Sequence, residues 1–373
     1  MKRVLILLCL PLLVASCVRQ INVDVEGHLM GTTASMIYLV AEDGTVDTLA
    51  SAPIADDNTF HLRCRLKRPT TAFLCDDNGR AITMLLTEDA PLRLRPADKG
   101  GYMVEGGPLN DKYNVTMRQL SDLAEQITNI DPHSETAEEE YESLMYKYRD
   151  ALATTITYNL DNIIGVELFL HQESHAMSAE DMRVRFAQFS PQMQSLPAMR
   201  QFEQYIDILE RCQVGKPFVD TELMTITGEP VRLSDICGKG RWVLIDFWAT
   251  WCAPCLQELP QLKAAYERYA LMGFEICAIS LDPDIEHLRD YVASEELLWM
   301  NLVNESPDGE ILPSELYGVI SIPSNFLISP DGKIVARDLN GENLMHELQH
   351  FLEGDDFCTY PQLHHNHTVS EKM

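Results

Sequence analysis

The chain has 373 residues, 46% of them hydrophobic, and a formal net charge of -28. That is long enough for two or three domains and apolar enough to give each a core. So acidic a body repels nucleic acid and anionic lipid headgroups, which excludes nucleic-acid binding, and beyond the first residues no apolar run reaches membrane-spanning length.

Met1-Lys2-Arg3, the apolar run from Val4 to Val14 and the small residues Ala15-Ser16 read as a secretory leader over 1–16. The run is too short to span a membrane as a helix. Val14-Ala15-Ser16-Cys17 resembles a bacterial lipobox, which implies cleavage before Cys17 and a lipid on that cysteine. Such a lipid anchors a soluble body to a membrane face and does not thread it through. Val18 stands where an aspartate would favour inner-membrane retention, and no acidic run follows. The expected address is therefore the cell envelope, on the outer membrane and facing the periplasm.

Residues 17–107 alternate apolar and polar positions in short runs, as in Ile21–Val25, Met36–Val40 and Phe60–Leu66. Glu42-Asp43-Gly44, Asp56-Asp57-Asn58 and Asp76-Asp77-Asn78-Gly79 are turn clusters between them. The pattern predicts a small antiparallel β-domain. Including its closing Gly106-Gly107-Pro108-Leu109-Asn110, the segment resembles the β-rich N-terminal domain of Bacteroidetes-type lipoproteins that carry thioredoxin-like modules. Cys64, which alternates with Phe60, Leu62 and Leu66, reads as a small core residue. A Cys64–Cys75 bridge stays open in an oxidising compartment.

From 108 to 212 the period becomes helical, with Leu120, Leu123, Ile127 and Ile130, then Tyr141, Leu144, Met145 and Tyr148, at three- and four-residue steps. These stripes read as core or partner surface, and Glu138-Glu139-Glu140 as a solvated helix face. His171 and His175 are four apart and share a helix face, but no third ligand stands near them in sequence, so a surface or capping role is expected over zinc.

A third region spans 213–353. A hairpin is predicted around Gly228, followed by the apolar strand Trp242–Phe247, suited to the middle of a sheet covered on both faces. That strand delivers Trp251-Cys252-Ala253-Pro254-Cys255 to the start of a helix over Ala253–Ala270. The spacing by itself is weak: with 10 cysteines a chance C-x-x-C pair arises roughly one time in four. The strand before it, the helix after it and Ile322-Pro323 ahead of a later strand supply the specificity. Further strands at Phe274–Ser280, Asn325–Ser329 and Lys333–Arg337, with helices at Asp284–Ala293 and Gly341–Leu352, spell an α/β thioredoxin fold. The tail 354–373 is polar, and its His364, His365, His367 and Cys358 read as a disordered end before a metal site.

Cys252, at a helix N-terminus, is the expected nucleophile, because unpaired N–H groups and the helix dipole stabilise a thiolate there. Cys255, one turn further in, is the less exposed resolving thiol. Asp246 lies six residues before Cys252 in an apolar strand. It is read either as an edge aspartate or as a buried acid that takes the proton of Cys255, the second being preferred.

Here the chain resembles the TlpA/ResA branch of thioredoxin-like proteins, within the AhpC/TSA–thioredoxin grouping. The resemblance rests on Asp246-Phe247-Trp248-Ala249, Trp251-Cys252-Ala253-Pro254-Cys255, Glu258-Leu259-Pro260 and Ile322-Pro323, and covers a little over a third of the chain. It implies a thiol–disulfide oxidoreductase acting on disulfide- or thiol-bearing proteins through its own redox-active Cys252–Cys255 pair, with no other cofactor and no metal. It also implies Pro323 in cis facing the pair, Ile322 pairing with a substrate strand, and Trp251 shaping the docking surface. Glu258 is implied to modulate thiol acidity, beside the plain reading of a surface salt-bridge partner. Many members carry Asn at Asp246, and the branch usually has Thr after the proline, where this chain has Ser324-Asn325.

The direction implied by the branch is reduction, fed by a membrane electron donor. Apocytochrome c, as in cytochrome c maturation, a mispaired secreted protein and a sulfenylated thiol are all admissible substrates. A peroxidase would need a proline and threonine ahead of the cysteine at an offset this chain lacks. The remaining alternative is a partner-binding or metal/haem-delivery lipoprotein using a thioredoxin-like module.

Overall fold

The computed structural model describes residues 20–42, 48–97, 100–307 and 311–353. The leader 1–16, Cys17 and the tail 354–373 lie outside the described residues. The chain divides into two compact units, Met1–Gln204 and Tyr205–Met373.

Among the described residues, the first unit opens with eight strands: β1 (Ile21–His28), β2 (Met36–Ala41), β3 (Thr48–Pro53), β4 (Thr59–Leu66), β5 (Thr71–Asp76), β6 (Ala81–Leu86), β7 (Pro91–Pro96) and β8 (Tyr102–Glu105). They form two four-stranded sheets, ordered β4-β1-β7-β8 and β3-β2-β5-β6. Val23, Val25, Leu62 and Leu92 of the first sheet share one core with Ile37, Leu39, Leu74 and Leu85 of the second. Alternate residues of each strand thus line a common interior, which makes a sandwich. Pairing is antiparallel apart from β1 with β7, which run parallel from Asp24↔Pro91 to Glu26↔Arg93. β7 follows two strands of the other sheet, so no tight hairpin sets its direction. Cys64 and Cys75 are both free, so no bridge joins them.

The Gly106-Gly107-Pro108-Leu109-Asn110 signature acquires a physical reason. The Glu88 carboxylate accepts the backbone N–H groups of Leu109 (3.1 Å) and Asn110 (3.0 Å) and the Asn110 side-chain amide (2.8 Å). It caps α1 (Pro108–Thr128), where orphan N–H groups favour a negative charge. A Cβ on Gly107 would stand 2.2 Å from Glu88 Oε1, so only glycine admits this approach.

Then follow α2 (Ala137–Thr157), α3 (Ile163–Leu168), a π-helical turn at Phe169–Glu173, α4 (Ala179–Gln188), α5 (Pro191–Gln194) and α6 (Pro197–Arg211), inside which the unit boundary falls. Of the two stripes, Leu120 and Leu144 are buried, Leu123, Ile127, Ile130, Met145 and Tyr148 are half-buried, and Tyr141 faces solvent. The helical stripes are therefore only partly core.

Among the described residues, the second unit holds one seven-stranded sheet, built from β9 (Glu222–Thr225), β10 (Pro230–Arg232), β11 (Trp242–Trp248), β12 (Phe274–Ser280), β13 (Met300–Val303), β14 (Ser324–Ile328) and β15 (Ile334–Arg337). Its order is β10-β9-β13-β12-β11-β14-β15. β11 lies inside the sheet, parallel to β12 and antiparallel to β14. Its helices are α7 (Ala253–Tyr269), α8 (Ile285–Ser294), α9 (Pro313–Leu316) and α10 (Gly341–Glu353). Leu244 and Trp248 pack with Leu259 and Leu262 of α7 and Leu344 and Leu348 of α10. Val243, Ile245 and Phe247 point the other way, into a cluster with Tyr317 and Phe326. Two covered faces explain why β11 is apolar without alternation. This arrangement is a thioredoxin fold, preceded by a β-region and helices.

Candidate active site

The period of two along β11 decides the surroundings of Asp246. With Leu244 and Trp248 on the α7 face, Asp246 points there too, because alternate residues share a side. It is only 5% exposed. Burial, and secondarily the nearby charge of Glu258, push its carboxyl up to about 7. Of the two readings of Asp246, the edge position does not apply.

Four residues, 249–252, carry the chain from the end of β11 to α7. Cys252 is the N-cap residue, and its sulfur accepts the backbone N–H of Cys255 at 3.2 Å. Pro254 occupies the first turn, where a missing N–H costs nothing. Cys252 and Cys255 are joined as a disulfide, with Cα atoms 5.3 Å apart. The two are equally enclosed, 5% and 3% exposed, so the expected difference in exposure is not present in this oxidised state. The N-cap position folds Cys252 under the loop that precedes β14. There the Ile322–Pro323 peptide bond is cis, and the Ile322 carbonyl oxygen lies 3.7 Å from the Cys252 sulfur. Trp251, beside the pair, is 63% exposed.

Ser324 and Asn325, where the branch usually has Thr, anchor this loop. The Ser324 hydroxyl donates to Asp338 at 2.9 Å, and the Asn325 side chain bonds both the carbonyl and the N–H of Leu339. Glu258 is half-buried on α7 and accepts the N–H of Gly341 at 2.8 Å, capping α10. It is thus a helix cap that also bears on Asp246 electrostatically. A cavity of about 320 Å³ is lined by Asp246, Cys255, Glu258, Pro323, Asn325 and Asn340, among others.

Two groupings escaped the sequence reading. Ser280, Asp282 and Thr250 form a polar network beside the cysteine loop. Its one sequence signal was an acid two residues after a strand, at the carboxyl edge of the sheet. In the first unit, Glu42 and Glu167 stand with His171, their ligand-type atoms within 4.8 Å of one another, so His171 does have acidic neighbours and His175 is not among them. Thr71 donates to Glu167 at 2.7 Å, and His171 lies 3.7 and 3.9 Å from the two carboxylates, so the group pairs internally.

The model of the AhpC/TSA family matches residues 214–337. The chain is 31% identical over 152 residues to the thiol-disulfide oxidoreductase ResA of Bacillus cereus (strain ATCC 10987 / NRS 248), covering 41% of this chain and 84% of that protein. It is 30% identical over 129 residues to ResA of Bacillus subtilis (strain 168), covering 34% and 68%. A solved thiol-disulfide oxidoreductase from Bacteroides fragilis NCTC 9343 aligns at 31% identity over 37% of this chain and 100% of that one, with a TM-score of 0.33.

Proposed function

The chain belongs to the thiol–disulfide oxidoreductases of the thioredoxin family, and from that membership we propose that it reduces protein disulfides in the cell envelope through Cys252 and Cys255. The observation that carries this reading is the placement of the pair, with Cys252 at the N-terminus of α7 and Cys255 sharing a cavity with buried Asp246.

In the proposed reaction, reduced Cys252 is held as a thiolate by the helix N-terminus and attacks one sulfur of a substrate disulfide. That S–S bond breaks, the departing substrate thiolate takes a proton from solvent, and a mixed disulfide remains on Cys252. Cys255 passes its proton to Asp246 and attacks the Cys252 sulfur. The Cys252–Cys255 disulfide forms and the second substrate thiolate is released. Two electrons have moved from the pair to the substrate; when a membrane electron donor returns them to the disulfide, the proton held on Asp246 goes back to Cys255 and Cys252 is again a thiolate. The cis-proline loop and Trp251 frame the docking surface, where the Ile322 backbone pairs with an extended substrate strand. Glu258 adds negative charge below the pair and so keeps Asp246 poised to accept a proton.

The direction is read from the reduction potential of the couple, in protein lacking residues 1–17, by equilibration in thiol redox buffers. A value near about -270 mV is expected for a reductant. A value near about -120 mV would reverse the assigned direction, and no reversible transition at all would sink the exchange reaction.

The leader over 1–16 and the residues before Cys17 support a lipid anchor that holds the body at the periplasmic face of the outer membrane. With Cys17→Ala, the protein is expected to leave the membrane fraction of the cell and appear in the soluble one. Unchanged membrane retention, or wild-type protein already soluble, would refute the anchor.

A further inference from the structure

The corner between β11 and α7 is held from outside. β12 runs parallel to β11, with Trp248 opposite Ser280, and the ladder continues one step through the bond from the Leu281 N–H to the Trp248 carbonyl at 2.9 Å. The chain then turns and places Asp282 beside Thr250. One carboxylate oxygen accepts the Thr250 backbone N–H at 2.9 Å and the Ser280 hydroxyl at 2.6 Å. The other accepts the Thr250 hydroxyl at 2.5 Å. The Asp282 N–H in turn donates to the Ser280 hydroxyl oxygen at 3.0 Å. The remaining backbone bond in the corner is the turn from the Cys252 N–H to the Ala249 carbonyl, 3.2 Å. Three bonds to one carboxylate are strong ones, because an ionised acceptor roughly doubles the strength of a neutral pair.

We propose that Asp282 is a positioning residue for thiol exchange. It clamps Thr250, two residues before the nucleophile, so that Cys252 sits as the cap of α7 with its sulfur toward the Ile322 carbonyl and Trp251 projects outward. Asp282 touches neither sulfur in this scheme; it acts through the corner. The proposal rests on the thiol-exchange reading and adds to it a residue that neither the cysteine motif nor the proline loop contains. Without the clamp, Thr250 loses both of its bonds to Asp282 and the corner rests on the Cys252–Ala249 turn bond and on the bond from the Cys255 N–H to the Cys252 sulfur, so the sulfur is held less firmly against the helix N–H groups that stabilise the thiolate.

The test compares Asp282→Ala and Asp282→Asn with wild type in three measurements on the reduced soluble body. These are exchange with a protein disulfide, alkylation of Cys252 by iodoacetamide at pH 7, and thermal melting. Asparagine can accept the Thr250 N–H through its oxygen and donate to the Thr250 hydroxyl through its amide, so it keeps the clamp while removing the charge. Asp282→Ala is expected to slow both reactions about tenfold or more, the loss anticipated for bonds to a charged acceptor. Asp282→Asn is expected to recover most of that loss. An alanine variant that reacts at the wild-type rate overturns the proposal. So does one that alkylates faster, because the charge of Asp282 would then outweigh its geometry, and so does an asparagine variant as slow as alanine. If Asp282→Ala melts below the assay temperature, Thr250→Val removes the hydroxyl bond and keeps the backbone one. It is expected to slow exchange severalfold, and a wild-type rate overturns the clamp. A wild-type protein inert toward every disulfide would instead sink the exchange reading and take the positioning role with it.

Discussion

Changing Cys252 to serine is expected to abolish disulfide exchange, a loss beyond about a thousandfold, while leaving the fold in place. A hydroxyl does not attack a disulfide sulfur under conditions where a thiolate does. Serine is itself a favoured N-cap, so the bond from the Cys255 N–H keeps an acceptor at the start of α7. Loss of the disulfide costs little, because the bridge spans a separation of only three residues and the stabilisation from such a bond grows with the loop it closes. Cys255→Ser has a different expected outcome. The first attack proceeds, no resolving thiol follows, and the substrate stays attached to Cys252 as a mixed disulfide. Acid quenching and non-reducing gels separate the two variants: Cys255→Ser accumulates an adduct and Cys252→Ser forms none. An adduct on Cys252→Ser alone would exchange the two roles, and residual turnover in Cys252→Ser would remove the pair from the reaction.

Asp246→Asn is expected to make the protein more stable and a worse catalyst at once. The carboxyl titrates near 7 in the folded chain, against an ordinary value of 3.8. Between those two pH values the folded state binds more protons than the unfolded one, so stability falls as pH rises through the window. Below about pH 4 both states hold the proton and Asp246 contributes fully; above about pH 7 the charge must be buried without it. Asparagine avoids that cost. Its advantage in unfolding free energy is expected to be small near pH 4, to grow through the window, and to reach roughly 4 kcal/mol at most by pH 8. Denaturant melts at a series of pH values measure it. The same substitution removes the proton acceptor of Cys255 and is expected to slow resolution of the mixed disulfide by about a hundredfold, within the usual range for a lost general base. A pH-independent difference in stability would mean that Asp246 is already ionised or paired in the folded chain. Unimpaired resolution would move the proton transfer to another group.

Much of the site could be read directly from the chain. The strand Trp242–Trp248, the cysteine pair at a helix start and the Ile322-Pro323 step are local signals, each written in a few consecutive residues. The burial of Asp246 was half legible: an acid between Ile245 and Phe247 implied an apolar setting, but the face it occupies follows from which helices cover the sheet. Glu258 carried no sign of its partner, because Gly341 lies 83 residues further on. Asp282 was missed for the same reason, its partner Thr250 being 32 residues earlier, across a strand pairing that residue spacing does not announce.

The first unit divides along the same line. Alternation over Ile21–Val25, Met36–Val40 and Phe60–Leu66 marks strands because the side-chain period of a strand is a property of the local backbone. The parallel pairing of β1 with β7, the grip of Glu88 on the start of α1, and the meeting of Glu42 and Glu167 with His171 all join distant segments. By itself the sequence determined the place of strands such as Ile21–Val25 and Trp242–Phe247 and of the helix after Cys252, which thiols start a helix, and which acid stands in an apolar strand, since periodicity, capping and burial preference act between near neighbours. Only the tertiary structure decided that Asp246 lines a cavity with Cys255, that Glu258 caps a helix and that Asp282 binds Thr250 in the cysteine corner. Those outcomes depend on strand order and on which face each helix covers, and both are settled by packing free energy summed over the whole unit.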